Sequence, residues 1–106
     1  MKAGELIAIV DAVKPNDISE DIKLGWLGDA EGRVLCEIKG VDAGDVAPIV
    51  EGEHELCVPT PYSKMYSMYI LSMICFLKGE YDAYVRANAE YEQVFSEYAR
   101  YCIRRR

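Results

Sequence analysis

The stretch Thr60–Gly79, TPYSKMYSMYILSMICFLKG, restricts most strongly what this chain can become. Thr60 is a good N-cap, Pro61 suits the first helical position because its missing N–H would be unpaired there, and Gly79 supplies a left-handed stop. The pattern predicts one helix over about 61–78. Tyr62, Met65, Tyr66, Tyr69, Ile70, Met73, Phe76 and Leu77 recur at steps of three and four and make one broad apolar face. The opposite side carries Met68, Leu71 and Cys75 among Lys64, Ser67, Ser72 and Lys78. A helix apolar on two sides either sits at the centre of its own domain or keeps a second face for a partner.

The rest of the chain is read around that helix. With 106 residues the chain is one domain, and the whole of 1–106 is expected to be a single all-α, four-helix unit. A first helix is predicted over about 3–14, with Leu6, Ile7, Ile9, Val10 and Val13 as apolar positions and Pro15 as its stop. Asp17 or Ser19 caps a second over about 18–39, Asp17 with Glu20 fitting a capping box. Its stripe is Leu24, Trp26, Leu27, Ala30, Val34, Leu35 and Ile38, and Gly25, Gly28 and Gly32 run along one edge. Those glycines mark either the close approach of another helix or a bent, frayed one, since each costs about 1 kcal/mol relative to alanine. A fourth helix over about 80–102 follows Gly79 so closely that it should lie antiparallel to the third. Its face is Tyr81, Tyr84, Asn88, Tyr91, Phe95, Tyr98, Ala99 and Cys102, backed by a charged side with pairs such as Asp82–Arg86.

Between the second and third helices, residues 40–60 form a long loop with no helical period. Val46, Ile49, Val50, Leu56 and Val58 argue against disorder there. A short strand over Glu55–Val58 would offer an edge to a neighbouring chain; the alternative is a loop folded back on its own helices. The candidate contacts with other copies or partners are therefore Val46, Ile49, Val50, Leu56 and Val58 in the loop, Met68 and Leu71 on the central helix, and the closing Arg104, Arg105 and Arg106. The three arginines either complement the helix C-terminus or touch DNA or an acidic partner.

Composition excludes several classes of function. Twelve Lys and Arg stand against 18 Asp and Glu, a net charge of -6, which argues against a protein whose main affinity is for phosphate backbones or anionic lipid. The residues are 51% hydrophobic, yet no apolar run approaches the ~20 needed to cross a bilayer. Nor does MKAGELIAIVDAV read as a signal peptide, so a soluble protein is expected. Eight tyrosines exceed what a core of this size needs and suit an interface. Cys36, Cys57, Cys75 and Cys102 are too dispersed for paired thiolate ligands and are expected reduced. His54 and Cys57, with Cys36, offer three donors without the two tight pairs usual in zinc sites. His54 has no nucleophile motif beside it, and the glycines of the second helix lack the strand and Gly-Lys-Ser/Thr of a phosphate loop. No catalytic residue, cofactor or metal is expected.

A set of residues in order carries a family resemblance: Trp26-Leu27, Glu31-Gly32-Arg33, Val58-Pro59-Thr60-Pro61-Tyr62, Tyr66, Gly79-Glu80-Tyr81, Tyr84, Asn88, Phe95 and Tyr98. From about residue 3 to about residue 101 the chain resembles small prophage proteins of Gram-positive bacteria that are similar to the head–tail connector (adaptor, or head-completion) proteins of long-tailed bacteriophages. The segments Asp42–Ile49 and Tyr101–Arg104 depart from that pattern. The resemblance implies a helical subunit of a ring, dodecameric in the particle, docked beneath the portal after DNA packaging. Its partners would be further copies of itself, the portal protein and tail-completion proteins. DNA would be met only as the passing genome, and no membrane is involved. Its place would be the virion, and the host cytoplasm during assembly. An acidic conduit suits that role, because tight binding of phosphates would hold the genome back. The other reading is a small helical protein-binding module of a prophage, with a regulatory or different morphogenetic role.

Overall fold

The computed structural model describes residues 1–105, and Arg106 lies outside the described residues. Among them are four helices, α1 (Ala3–Val13), α2 (Glu20–Glu37), α3 (Lys64–Leu77) and α4 (Tyr81–Arg104), a 3-10 turn at Ala43–Asp45, and no strand. The all-α architecture is the expected one. The helix ends follow local chemistry. In α2 it is Ser19, not Asp17, that caps, its hydroxyl accepting from the Ile22 amide at 3.4 Å. At the end of α3, Gly79 has φ +74, its amide bonds to Phe76 O at 3.1 Å, and the Glu80 amide bonds to Cys75 O at 2.9 Å. That double bond pattern is a Schellman motif, and it turns the chain straight into α4.

The start of the third helix differs from the expectation. The Thr60–Pro61 bond is cis, the Tyr62 amide donates to Pro59 O at 2.9 Å, and α3 begins only at Lys64. Residues 60–63 are thus a tight turn and Thr60 caps nothing. Within α3 the buried residues are Met65, Tyr66, Ile70, Ser72, Ile74 and Cys75. Phe76 and Leu77, expected on the inner face, are exposed at the end of the helix, where Phe76 meets Tyr81 and Tyr84 of α4, while Ile74 is fully buried.

α3 is the hub and packs against the other three helices, most extensively against α4. The α3–α4 seam is aromatic. Tyr62 meets Tyr98 with ring centroids 5.4 Å apart, Tyr69 meets Tyr91 at 5.0 Å, and Phe76 meets Tyr84 at 5.4 Å. The partners ascend by seven on one side and descend by seven on the other, the register of antiparallel helices packed along a heptad stripe. Most of the tyrosines thus pack within the molecule, where tilted ring pairs add to burial, while Tyr81 stays 62% exposed. The expected Asp82–Arg86 pair is absent; Asn88, half-buried on the stripe, forms no side-chain hydrogen bond among the described residues.

The long segment 40–60 folds back on the helices. It does not become a strand: a single antiparallel bridge joins Glu55 to Lys2. Around it the Ala3 amide donates to His54 O at 2.9 Å, Gly4 to Gly52 O at 2.9 Å, and Leu56 to Met1 O at 3.0 Å. The edge that a short strand here would have offered to a neighbouring chain is thus taken by the chain's own N-terminus, and of the two readings the loop folded back on its own helices is the one observed. The segment also passes over two of the three glycines of α2, at ordinary van der Waals distance, while nothing lies within 4 Å of a Cβ on Gly25. A Cβ on Gly28 would stand 3.5 Å from the Ile49 amide nitrogen, and one on Gly32 would stand 3.5 Å from Val46 Cγ1. It is the loop, not a second helix, that lies close over them.

Candidate functional site

The most structured polar site is one the periodicity did not single out. Glu31 lies on the buried face of α2, one turn after Leu27 and one before Val34, and is 5% exposed. Its carboxylate accepts a hydrogen bond from the Tyr66 hydroxyl, from the Cys57 amide at 3.2 Å and from the Cys57 thiol at 3.2 Å. His54 Nε2 lies 3.3 Å from the second oxygen. The Tyr66 hydroxyl in turn accepts from the Val58 amide at 3.2 Å. Two helices and the loop are therefore tied at one buried carboxylate. Among the described residues no buried side-chain polar atom lacks a partner.

This cluster is built to hold protons in place. Burial pushes the Tyr66 phenol well above its ordinary range, and the adjoining Glu31 pushes it further. Burial, with Glu31 again, pushes the Cys57 thiol up to about 11. A thiol protonated at neutral pH is a donor and a poor nucleophile. His54 and Cys57 both turn to Glu31, and among the described residues no group of three His, Cys, Asp or Glu side chains is placed to hold a metal ion.

The residues expected to make outside contacts fall into three groups. Ile49, Leu56 and Val58 are buried in the chain's own core, and Val46 is half-buried over Gly32. Val50 alone of the loop set is free, 75% exposed. Met68 and Leu71 are half-buried beside α1, where they line a small cavity of about 60 Å³ with Ile9, Val10, Val13 and Ser67. At the far end, Arg104 closes α4 and complements its dipole, while the Arg105 guanidinium lies 5.6 Å from the Tyr101 ring. Arg105 and Tyr101 line an open cleft of about 350 Å³ with Ile38, Lys39, Tyr98 and Cys102. Arg106 lies outside the described residues.

Two further ties position these surfaces. Lys23, buried on α2, reaches Asp11 of α1 at 2.8 Å, and Asn16 bonds the same carboxylate oxygen at 2.9 Å. Arg33 leaves α2 toward α4, bonding Glu92 at 2.8 Å and the Tyr91 hydroxyl at 3.3 Å, with its guanidinium 3.8 Å from the Phe95 ring centroid. Lys23 and Glu31 shared one available signal: both sit on the apolar stripe of α2, a turn to either side of Leu27. Comparison of the chain with protein-family models, with curated proteins and with solved structures finds no match in any of the three.

Proposed function

We propose that this chain is a structural subunit of a bacteriophage head–tail connector, assembling as a ring beneath the portal through which the genome passes. One observation carries the reading. The residues of the family resemblance, scattered over the sequence, meet one another in the fold: Glu31 with Tyr66 and, through it, Val58; Arg33 with Phe95; Tyr62 with Tyr98. A set of residues that forms the internal framework of a helical unit is what a shared scaffold requires, and it supports placing the chain with proteins built on that scaffold. The acidic composition suits a conduit for DNA.

The test is to mix the purified chain with the portal protein encoded in the same gene cluster and to image the product by negative-stain microscopy. Rings coaxial with the portal are expected. A chain that fails to bind the portal at high concentration, from a gene lying beside repressor or lysis genes, would overturn the reading. It would favour instead a small protein-binding module, to which the exposed apolar side of α1 is suited.

A further inference from the structure

We propose that the open cleft where α2 and α4 end is a binding site for a monoanionic organic acid, a single carboxylate carried on an apolar body. In a chain with a net charge of -6, this cleft presents two cations, Lys39 and Arg105, and no carboxylate lines it. Two other hollows of similar size set carboxylates beside one lysine each. Asp11, Asp17 and Glu20 stand with Lys23 between α1 and the start of α2, and Glu90 and Glu97 stand with Lys64 between α3 and α4. Lys2, Lys14, Lys23 and Arg33 all reach a carboxylate of their own chain. Among the described residues Lys39 and Arg105 reach none.

Aromatic rings hold both cations. Lys39 Nζ lies 5.4 Å from the Tyr98 ring centroid and 3.9 Å from Cys102 Sγ, and the Arg105 guanidinium lies 5.6 Å from the Tyr101 centroid. Tyr98 is 2% exposed, Tyr101 stacks on it at 6.1 Å, and Tyr62 packs against both rings from the α3 side. The platform beneath the cations is therefore part of the core, and their head groups lie over rings, while Arg104 serves the end of α4.

Charge and space select the ligand. Each helix C-terminus that meets here offsets the two cations by about half a unit charge, which leaves the site at about +1. One carboxylate balances that. A dianion exceeds it, and duplex DNA meets the negative charge of the whole chain as well. The volume, about 350 Å³, has room for a small organic molecule beside Ile38 and the rings, well beyond a bare ion. The rings are covered by the cations and by one another, so no face is left on which a nucleobase would stack. The carboxylate could belong to a free acid or to the end of a peptide, since the site reads the same group in both. The inference stands apart from the connector reading.

The test is titration of the full chain with benzoate under reducing conditions at constant ionic strength, followed by amide nuclear magnetic resonance. Saturable shifts confined to the amides around Lys39 and from Tyr98 to Arg105 are expected, with a millimolar dissociation constant. Benzamide and inorganic sulfate should bind at least about tenfold more weakly. Lys39→Gln and Arg105→Gln should each weaken benzoate by about three- to tenfold with the rest of the spectrum unchanged, and Arg86→Gln, which removes an exposed cation elsewhere on α4, should not. Acetylglycylphenylalanine and its amide separate the two sources: tighter binding than benzoate by the acid, lost in the amide, assigns the site to a peptide end, and weaker binding assigns it to a free acid. A chain lengthened by Gly-Ser should bind benzoate as before; binding that arises only on that extension would make the chain's own terminus the occupant and overturn the inference. Absent or unsaturable shifts, shifts centred elsewhere, equal binding of benzamide, or tighter binding of sulfate would each overturn it too. A chain that takes benzoate but ignores the portal would remove the connector reading and leave this one, and the converse result would do the opposite.

Discussion

Tyr66 is fully buried, and its hydroxyl serves both the Val58 amide and the Glu31 carboxylate. Removing only that oxygen leaves a buried donor and a buried carboxylate each short of a partner, with no room gained for solvent. Tyr66→Phe should therefore cost about 1–3 kcal/mol in urea denaturation with an unchanged m-value, more than the net worth of one ordinary hydrogen bond. A loss of only a few tenths would show that the loop opens to let water serve Glu31. The same cluster sets a pH dependence. Burial and Glu31 raise the Cys57 thiol from 9.0 to about 11, so between those values the unfolded chain has released a proton that the folded chain keeps. The stability linked to this thiol is complete below pH 9 and is lost as pH rises through about 11. Cys57→Ala should show a smaller fall in urea midpoint than the wild type between about pH 8.5 and 10.5. Some slope should remain, since burial raises Tyr66, Tyr69 and Tyr91 in the same direction.

At the scale of elements, the crossing of the loop over the start of α1 is made by two glycines. A Cβ on Gly52 would stand 3.2 Å from Gly4 Cα, and one on Gly4 would stand 3.2 Å from Gly52 Cα and O, so in each case the obstacle is backbone. Gly52→Ala should cost about 1–3 kcal/mol, as overpacking of a fixed contact does. Gly25→Ala, with nothing within 4 Å of the new methyl, should stabilise α2 by about 1 kcal/mol. Opposite signs in a denaturant titration are the expected result, and a neutral Gly52→Ala would mean that the crossing is loose. These two glycines also show what the sequence could and could not reveal. Four helices were legible because Pro15, Ser19, Gly40 and Gly79 punctuate them and apolar residues recur at helical spacing between the stops. The start of α3 was not, because Thr60-Pro61 fits a helix N-terminus and a tight turn equally well. The loop's apolar residues were legible as something to be buried, but their destinations, Gly28 and Gly32 for the segment around Val46 and Ile49, lie far back in the chain and carry no local mark. Glu31 and Lys23 could be found only by asking which charged residues fall on the apolar stripe of α2.

At the scale of the molecule, α3 is the shared neighbour of the other helices, and α4 is held chiefly through the aromatic seam it makes with α3. Arg33 is the stitch that reaches α4 from α2. Burial opposes its charge, yet the bonds to Glu92 and Tyr91 outweigh that and raise its pKa further. A second bond to Glu37 at 3.0 Å holds Nε while the flat guanidinium covers Phe95. Three roles thus fall to one planar group, and lysine can fill only the first. Its compact ammonium can approach Glu92, but it cannot bond Glu37 at the same time or stack on the ring. Arg33 is partly solvated, which limits the expected loss for Arg33→Ala to about 1–2 kcal/mol. Arg33→Lys should recover less than half of it. Hydrogen exchange locates the effect: the amides of α4 around Tyr91 to Tyr98 should lose protection in both variants, while those of α1 stay as they are. If α4 keeps its protection in Arg33→Ala, the seam with α3 alone holds the fourth helix, and α2 contributes to the fold only through α1, α3 and the loop.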